Sequence, residues 1–278
     1  MYKESRENIP CILGSGGNLY IHIPVKSHEF VVSALEEGFR QKGIDVSPFI
    51  SRSDDLWAGY FPGMQLDDGG ESALKGMTSG SFFRLVASGR FSKGSFGVAL
   101  GMASGWEKIK DKDSGLDYYT FDGEYKITAT VPESGLIIAS TEESRAFTGL
   151  IENYFNPPDI FSPLFLQEGI GDSIGIFFPG DNITRFFLGN LAGGFKLPVD
   201  GVEIYFRLSQ EEGIYQVEMR FIPVEANMVK GLQALVKIFL RSCFSDSGLN
   251  MEIGYSDIYV RGLTMKQENV AELVLAMF

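Results

Sequence analysis

The stretch Val202–Ile222, VEIYFRLSQEEGIYQVEMRFI, decides the fold. Its two ends, Val202–Leu208 and Tyr215–Ile222, are rich in β-branched and aromatic residues, and the turn residues Glu211-Glu212-Gly213 separate them. Two such runs joined by a short turn that contains glycine predict an antiparallel hairpin. A long helix over Glu225–Cys243 is predicted directly after it. Strands and helices in this succession indicate an α+β protein.

Outward from this hairpin, the two parts of the chain follow a similar order of elements. The second part is predicted to contain strand Ser173–Phe178, helix Asn182–Leu191, the two hairpin strands, helix Glu225–Cys243, strands Met251–Gly254 and Ile258–Arg261, and helix Lys266–Met277. The first part is predicted to contain strand Leu19–Val25, helix Ser27–Lys42, strands Leu56–Phe61 and Phe82–Phe91, helix Ser95–Ser104, strands Trp106–Lys110, Tyr118–Phe121, Tyr125–Val131 and Leu136–Ala139, and helix Glu142–Tyr154. The predicted fold class is therefore α+β, with two similar β-α-β-β-α-β-β-α halves, extra strand in the first, and mainly antiparallel sheets covered by amphipathic helices.

This order divides the chain into four segments. Residues 1–18 are predicted to be a flexible leader, which ends at the glycine-rich run Gly14-Ser15-Gly16-Gly17. Residues 19–155 form the first half and residues 172–278 the second half. Between them, residues 156–171 form an apolar connector that contains three prolines.

The two halves are predicted to end in the same way. Leu136-Ile137-Ile138-Ala139 leads into Ser140-x-x-Glu143, and Ile258-Tyr259-Val260-Arg261 leads into Thr264-x-x-Gln267. Both patterns match a capping box, in which the first side chain caps the helix and the fourth reaches back to it. We therefore expect Ser140 and Thr264 to be helix N-caps.

The composition is that of a folded, acidic protein. Of 278 residues, 44% are hydrophobic and 22% are charged, and the net charge is −12. Nucleic-acid binding needs clustered Lys and Arg to neutralise phosphates, and the sequence has no such cluster. The chain has 23 Phe residues, against 2 Trp and 11 Tyr, and some of these Phe side chains are candidates for a binding surface. No run of 18 apolar residues occurs, and Met1–Pro10 lacks an apolar signal core.

The sequence offers no catalytic residue, metal site or cofactor site. The only histidines, His22 and His28, lack the spacing of metal ligands, and we expect a structural role for His22. The acidic run Asp111–Asp117 resembles a calcium loop, but Asp122 stands where a longer Glu is needed, so a solvated turn is expected. Cys11 and Cys243 are too sparse to indicate a disulfide framework or a zinc site.

Two apolar segments are the candidate contacts for lipid or for an apolar ligand. One lies in the connector and the other in the helix that begins at Asn182; the candidate residues are Ile160, Phe161, Leu164, Phe165, Ile183, Phe186 and Phe187. The connector could plug the interface between the halves, or it could be a mobile amphipathic element that docks on lipid. The Phe-rich helix suits insertion between lipid tails and packing on a sheet equally well.

Five short motifs carry a resemblance to a known family. They are Ser51–Tyr60 (SRSDDLWAGY), Ala87–Phe91 (ASGRF), Ala99–Ala103 (ALGMA), Gly105–Lys108 (GWEK) and Asp117–Tyr119 (DYY). Their order resembles that of spirochaetal, especially treponemal, outer-membrane-associated lipoproteins, and the predicted C-terminal elements are similar as well. The resemblance implies a non-enzymatic envelope protein on the periplasmic leaflet that engages lipid through amphipathic helices. Asn8-Ile9-Pro10, ahead of Cys11, departs from the apolar, small-residue sequence that lipid attachment needs.

Three functional hypotheses follow. The first is a peripheral protein at the periplasmic face of the outer membrane that binds lipid or an apolar ligand. The second is a soluble module, in the envelope or the cytoplasm, whose apolar surface meets another protein or a second copy of itself. The third is an enzyme that uses carboxylates. The first hypothesis predicts stronger lipid binding in acid, because protonation of Asp159, Glu168 and Asp181 would lower the cost of approaching a membrane.

Overall fold

The computed structural model describes residues 12–41, 46–62, 81–102, 105–110, 115–122, 126–141, 144–156, 172–188, 195–243 and 250–277. Within these ranges the strands form one sheet. In chain order they are β1 (Leu19–Pro24), β2 (Ser53–Phe61), β3 (Phe82–Gly89), β4 (Trp106–Lys110), β5 (Asp117–Asp122), β6 (Lys126–Thr130), β7 (Leu136–Ser140), β8 (Ile174–Pro179), β9 (Val199–Leu208), β10 (Ile214–Pro223), β11 (Asn250–Ile253) and β12 (Ile258–Lys266).

Helices pack on both faces of the sheet. In chain order the α-helices of the described residues are α1 (Glu29–Gln41), α2 (Ser47–Ile50), α3 (Lys93–Met102), α4 (Ser144–Phe155), α5 (Asn182–Leu188), α6 (Val229–Cys243) and α7 (Gln267–Leu275). Short 3-10 turns at Val25–Ser27 and Ala226–Met228 precede α1 and α6. The predicted class, α+β with an antiparallel sheet, is confirmed, because every strand pair in the described residues is antiparallel.

The halves meet at the centre of the sheet rather than forming separate sheets. The strand order is β11-β12-β10-β9-β8-β1-β2-β3-β7-β6-β5-β4, and Ile21 of β1 lies opposite Ile176 of β8. Outward from this junction, the strand order is β1, β2, β3, β7 and β6 in the first half, and β8, β9, β10, β12 and β11 in the second half. The two halves therefore share a strand order. An origin by internal duplication stays a prediction.

The larger core lies on the face of the sheet that carries Ile21 and Ile176, here called the first face. Apolar side chains of α1, α5, α6 and α7 complete this core, among them Val31, Ile183 and Val236, which have no exposed surface. Helices α1 and α7 also pack against each other where Gly38 faces Leu275. Burial of apolar surface on this scale is the dominant favourable contribution to folding.

A smaller core lies on the opposite, second face. Helix α4 covers it with Phe147, Leu150 and Ile151, all of which are fully buried. Ile12 and Leu13 join this core and are fully buried too. The described end of the predicted flexible leader, residues 12–18, is therefore packed against the sheet, since a loose segment would leave these side chains in water. The halves differ in the packing of their last helices. Helix α4 packs on the second face, whereas α7 packs on the first face.

The predicted capping box at Thr264 is wrong, and the one at Ser140 extends to Glu143, outside the described residues. Ser140 belongs to β7, and its hydroxyl donates to the backbone oxygen of Phe83 at 2.9 Å. Thr264 lies within β12, which continues to Lys266, and α7 begins at Gln267 with Lys266 as its N-cap and without a side-chain capping bond. At both positions, the residue that the local pattern assigned to a helix cap belongs to a paired strand.

Candidate functional site

Helix α5 is held at its start by a compact turn that follows β8. Gly180 adopts a φ of 57°, and the side chain of Asn182 donates to the backbone oxygen of Pro179 at 2.6 Å. The hydroxyl of Thr184 donates to the backbone oxygen of Asp181 at 2.9 Å. The Asp181 carboxylate accepts the backbone N–H of Leu197 at 3.0 Å. The acidic side chain thereby ties the start of α5 to the chain that leads into β9.

The predicted site residues of α5 lie against the core. Ile183 is fully buried, and Phe186 and Phe187 are partly buried. The Phe186 ring lies 5.2 Å from the ring of Phe178 on β8, and the Phe187 ring lies 6.0 Å from that of Phe239 on α6. Phe239 also meets Phe221 of β10 at 6.3 Å. We call Phe178, Phe186, Phe187, Phe221 and Phe239 the phenylalanine cluster. Packing on the sheet, one of the two roles expected for this helix, is the arrangement observed.

The outer surface of α6 is basic in an acidic protein. Lys230, Lys237 and Arg241 are exposed, and Ala234 completes the same row one turn from its neighbours. The helix sequence VKGLQALVKIFLRSC contains no carboxylate, whereas the whole chain has a net charge of −12. We call Lys230, Lys237 and Arg241 the basic stripe.

Apolar side chains are exposed beside the basic stripe. Ile238 on α6 is 55% exposed, and Val224 and Met228, just before the helix, are 52% and 38% exposed. Arg185 on the neighbouring α5 is exposed too. The outer surface of α5 and α6 therefore combines cations with apolar groups, and the phenylalanine cluster lies beneath it.

The sequence analysis places four of its seven candidate residues in the connector and none in the basic stripe. Ile160, Phe161, Leu164 and Phe165 lie outside the described residues. The signal for the stripe was present as the spacing Lys230, Ala234, Lys237 and Arg241, which keeps small or basic residues on one side of a helix.

The two histidines do not form a nucleophilic relay in the contacts described. His22 Nε2 lies 3.1 Å from Asp55 Oδ1, and Ser88 Oγ donates to Asp55 Oδ2 at 3.1 Å. The carboxylate thus stands between hydroxyl and imidazole, whereas a serine nucleophile needs the imidazole next to the hydroxyl. The His22 ring also stacks on Trp57 with centroids 3.7 Å apart. These contacts suit the structural role expected for His22.

Neither a metal site nor a membrane-spanning helix is present in the part of the chain that the structure describes. No group of three or more His, Cys, Asp or Glu side chains in it is arranged to hold a metal ion. None of its helices is both long enough and apolar enough to span a bilayer. The acidic run Asp111–Asp117 lies mostly outside the described residues; its last member, Asp117, pairs with Lys108 at 2.6 Å.

The fold and part of the sequence are shared with treponemal proteins. A curated relative named "Outer membrane protein TP0453", from Treponema pallidum (strain Nichols), is 19% identical over 216 residues, which are 75% of this chain and 68% of the relative. Crystal form III of TP0453 matches with a TM-score of 0.67 and 17% identity over 96% of this chain and 97% of that one. Crystal form I gives 0.66 and 17% over 96% of both chains. These structures share the fold.

A family model decides the membership of the chain. The model is described as "Outer membrane-associated lipoprotein TP0453", and it matches residues 6–270. This range includes all the elements that form the two cores except the end of α7. Because the match extends over nearly the whole sequence, the chain belongs to the family of outer membrane-associated lipoprotein TP0453.

Proposed function

We propose that this protein binds lipid at the periplasmic face of the outer membrane, without enzymatic activity, and that α5 and α6 form the lipid-contacting part of its described structure. The observation that carries the proposal is the basic stripe, Lys230, Lys237 and Arg241, on a helix without carboxylates in a chain of net charge −12. Family membership supports association with the outer membrane. The proposal adds lipid contact and names the surface that makes it.

Charge favours this surface over the outer surfaces of α1 and α7 for contact with anionic lipid. A Lys or Arg close to an anionic membrane contributes about 1 kcal/mol to binding. Helices α1 and α7 carry three and two carboxylates in their sequences, EFVVSALEEGFRQ and QENVAELVL, so their outer surfaces would be repelled. The basic stripe on α6 therefore sets the orientation in which the protein approaches the membrane.

Exposed apolar side chains would then anchor the protein. Ile238 and Val224 already lie half exposed beside the stripe. Full burial of one such side chain contributes about 1.5–3 kcal/mol relative to leaving it in water. Phe186 and Phe187, which lie partly buried under the same surface, would add more if α5 turned toward the lipid. Lipid tails are as apolar as the core, so the rings would exchange one apolar environment for another.

The connector candidates belong to the same proposal. Ile160, Phe161, Leu164 and Phe165 would contact lipid or an apolar ligand together with α5. Asp159 and Glu168 flank them in sequence, and Asp181 directly precedes α5. Protonation of Asp159 and Glu168 would remove the repulsion between these carboxylates and anionic lipid. Lipid binding should therefore strengthen as the pH falls.

A second candidate function rests on a different part of the surface. Tyr255, in the turn between β11 and β12, is 97% exposed, and Ile253 beside it is 49% exposed. Tyrosine is enriched where proteins meet, because its ring is large and its hydroxyl can remain hydrated. This turn supports the protein-interaction alternative, with another envelope protein or a second copy of the chain as the partner.

Flotation with liposomes tests the proposal and separates the two candidates. The purified protein is mixed with neutral phosphatidylcholine vesicles or with vesicles that also contain phosphatidylglycerol, at neutral and at mildly acidic pH. We expect co-flotation with the anionic vesicles that increases in acid and falls with added salt, which screens the basic stripe. Absence of flotation in all four conditions would overturn the lipid proposal, and a Tyr255→Ser variant would then be tested for loss of self-association.

A further inference from the structure

A buried histidine joins the two halves of the sheet at the end opposite the α5 turn. His28 is 1% exposed and lies just before α1, in the first half. Its Nδ1 lies 2.8 Å from the hydroxyl of Tyr215, and its Nε2 lies 2.8 Å from the backbone oxygen of Asp172. Tyr215 is the second residue of β10 and Asp172 precedes β8, so both partners belong to the second half.

The partners fix the tautomer of the neutral ring. A backbone carbonyl can only accept, so Nε2 carries the hydrogen and donates it to Asp172. Nδ1 is then the acceptor, and the Tyr215 hydroxyl donates to it. Protonation would place a second hydrogen on Nδ1 and abolish this acceptor. The Tyr215 hydroxyl would have to turn its hydrogen away inside a site that is 1% exposed.

We propose that His28, Tyr215 and Asp172 form a proton-operated latch between the halves, closed when His28 is neutral and loosened when it is protonated. The latch concerns how the two halves of the sheet hold together, and it does not depend on lipid binding. It spans the two halves because both ring nitrogens of His28 bond to the second half of the chain.

Some of the influences on His28 lower its pKa and others raise it. Burial disfavours the imidazolium and lowers the pKa of His28, and the charge of His22 acts the same way. The backbone oxygen and the carboxylate of Asp172 oppose this by favouring the charged ring, while Ser27 holds that carboxylate through a hydrogen bond of 3.3 Å. Burial is the largest influence, so the pKa lies below its ordinary value of 6.5.

The sign of the pH dependence follows from this direction. In the unfolded chain His28 takes up its proton near its ordinary pKa, whereas the folded protein resists protonation until a lower pH. The stability contributed by the latch is therefore fully present above the ordinary pKa of histidine. It is lost as the pH falls through that value toward the pKa of the folded state.

The chain contains only two histidines, so the test can be made on the unmodified protein. NMR of protein labelled at histidine would give two imidazole signals, which His22→Gln assigns. We expect the His28 signal to titrate below the ordinary histidine value. Across the same pH interval, amide protection factors should fall at Val32, whose N–H bonds to His28, and at Tyr215. Titration at the ordinary value, or protection that stays constant through it, would overturn the proposal.

Two variants distinguish a latch from mere burial. Tyr215→Phe removes the hydroxyl that favours the neutral ring, so the His28 midpoint should rise. Tyr259→Phe, on β12 and bonded to Asp257, is the matched control and should leave the midpoint unchanged. In His28→Gln the protection at Tyr215 should no longer change over this pH interval. An unmoved midpoint in Tyr215→Phe would contradict the latch even if His28→Gln failed to fold.

Discussion

Phe187 of α5 meets Phe239 of α6 edge to face, with ring centroids 6.0 Å apart and ring planes at 84°. The contact joins the Phe-rich helix predicted from sequence to the helix that carries the basic stripe. Phe239 is fully buried and also meets Phe221 of β10, so it fixes both helices to the sheet. Edge-to-face pairs contribute beyond the burial of their area.

Phe239→Ala should lower the free energy of unfolding by about 3–5 kcal/mol, because it leaves a cavity at the centre of the phenylalanine cluster. Urea unfolding followed by circular dichroism measures the change. Ile238→Ala is the matched control, since Ile238 is 55% exposed on the same helix. Equal losses in the two variants would show that α6 does not pack through Phe239.

Gly38→Ala should destabilise the protein although alanine favours helices. A Cβ at Gly38 would collide with the side chain of Leu275 on α7, and overpacking typically costs about 1–3 kcal/mol. Gly231→Ala on α6 is the control; nothing lies within 4 Å of its Cβ, so it should stabilise by about 0.5–1 kcal/mol. The double variant Gly38→Ala with Leu275→Ala should be less destabilised than the two single effects added together. Simple additivity would argue against the contact.

Arg220→Ala should cost about 3–5 kcal/mol, because it strips a buried carboxylate of its cation. Arg220 lies 3.3 Å from Glu203, which has no exposed surface, and 2.8 Å from Asp257. Arg207→Ala removes an exposed arginine 3.6 Å from Glu218 on the same strands and should cost at most about 1 kcal/mol. Thermal unfolding of both variants measures the difference. If Arg220→Ala lowered the stability less than Arg207→Ala, the contact between Arg220 and the buried Glu203 would not be an important stabilising interaction.

Cys243, at the end of α6, should react slowly with alkylating reagents. Burial raises the pKa of its thiol to about 11, so at about pH 8 roughly one molecule in a thousand carries the reactive thiolate. In a Cys11→Ser variant, labelling should be about 10²-fold slower than that of a free thiol, whose pKa is about 8.5. Labelling in urea provides the unfolded reference. Equal rates in the folded and unfolded protein would show that Cys243 is not shielded.

Local patterns predicted most elements of this fold. The hairpin around Val202–Ile222 and the helix Asn182–Leu188 were recovered because alternation and helical periodicity depend on near neighbours. The continuity of the sheet through β1 and β8 was not predicted, since it depends on pairing between Ile21 and Ile176, far apart in sequence. For the same reason the local pattern wrongly assigns Thr264 to a helix cap, because β12 extends to Lys266 through long-range pairing.

The candidate site was predicted only in part. Ile183, Phe186 and Phe187 were singled out for their apolar chemistry, and α5 and α6 lie together as neighbours. The burial of Ile12 and Leu13 was missed, because two apolar residues in a polar leader give no periodicity. Family membership supports the predicted envelope association and gives no support to a cytoplasmic location. Periplasmic orientation and lipid contact remain proposals.

The most direct test of lipid binding through α6 compares two double variants of equal charge. Lys230→Glu with Lys237→Glu reverses the basic stripe, while Lys110→Glu with Lys126→Glu changes the net charge equally on strands at the far edge of the sheet. Flotation with anionic vesicles is measured for both. We predict that the stripe variant loses flotation and that the edge variant retains most of it. Equal loss of flotation in both variants would show that net charge alone explains the effect. Retention of flotation in both would contradict the role of α6.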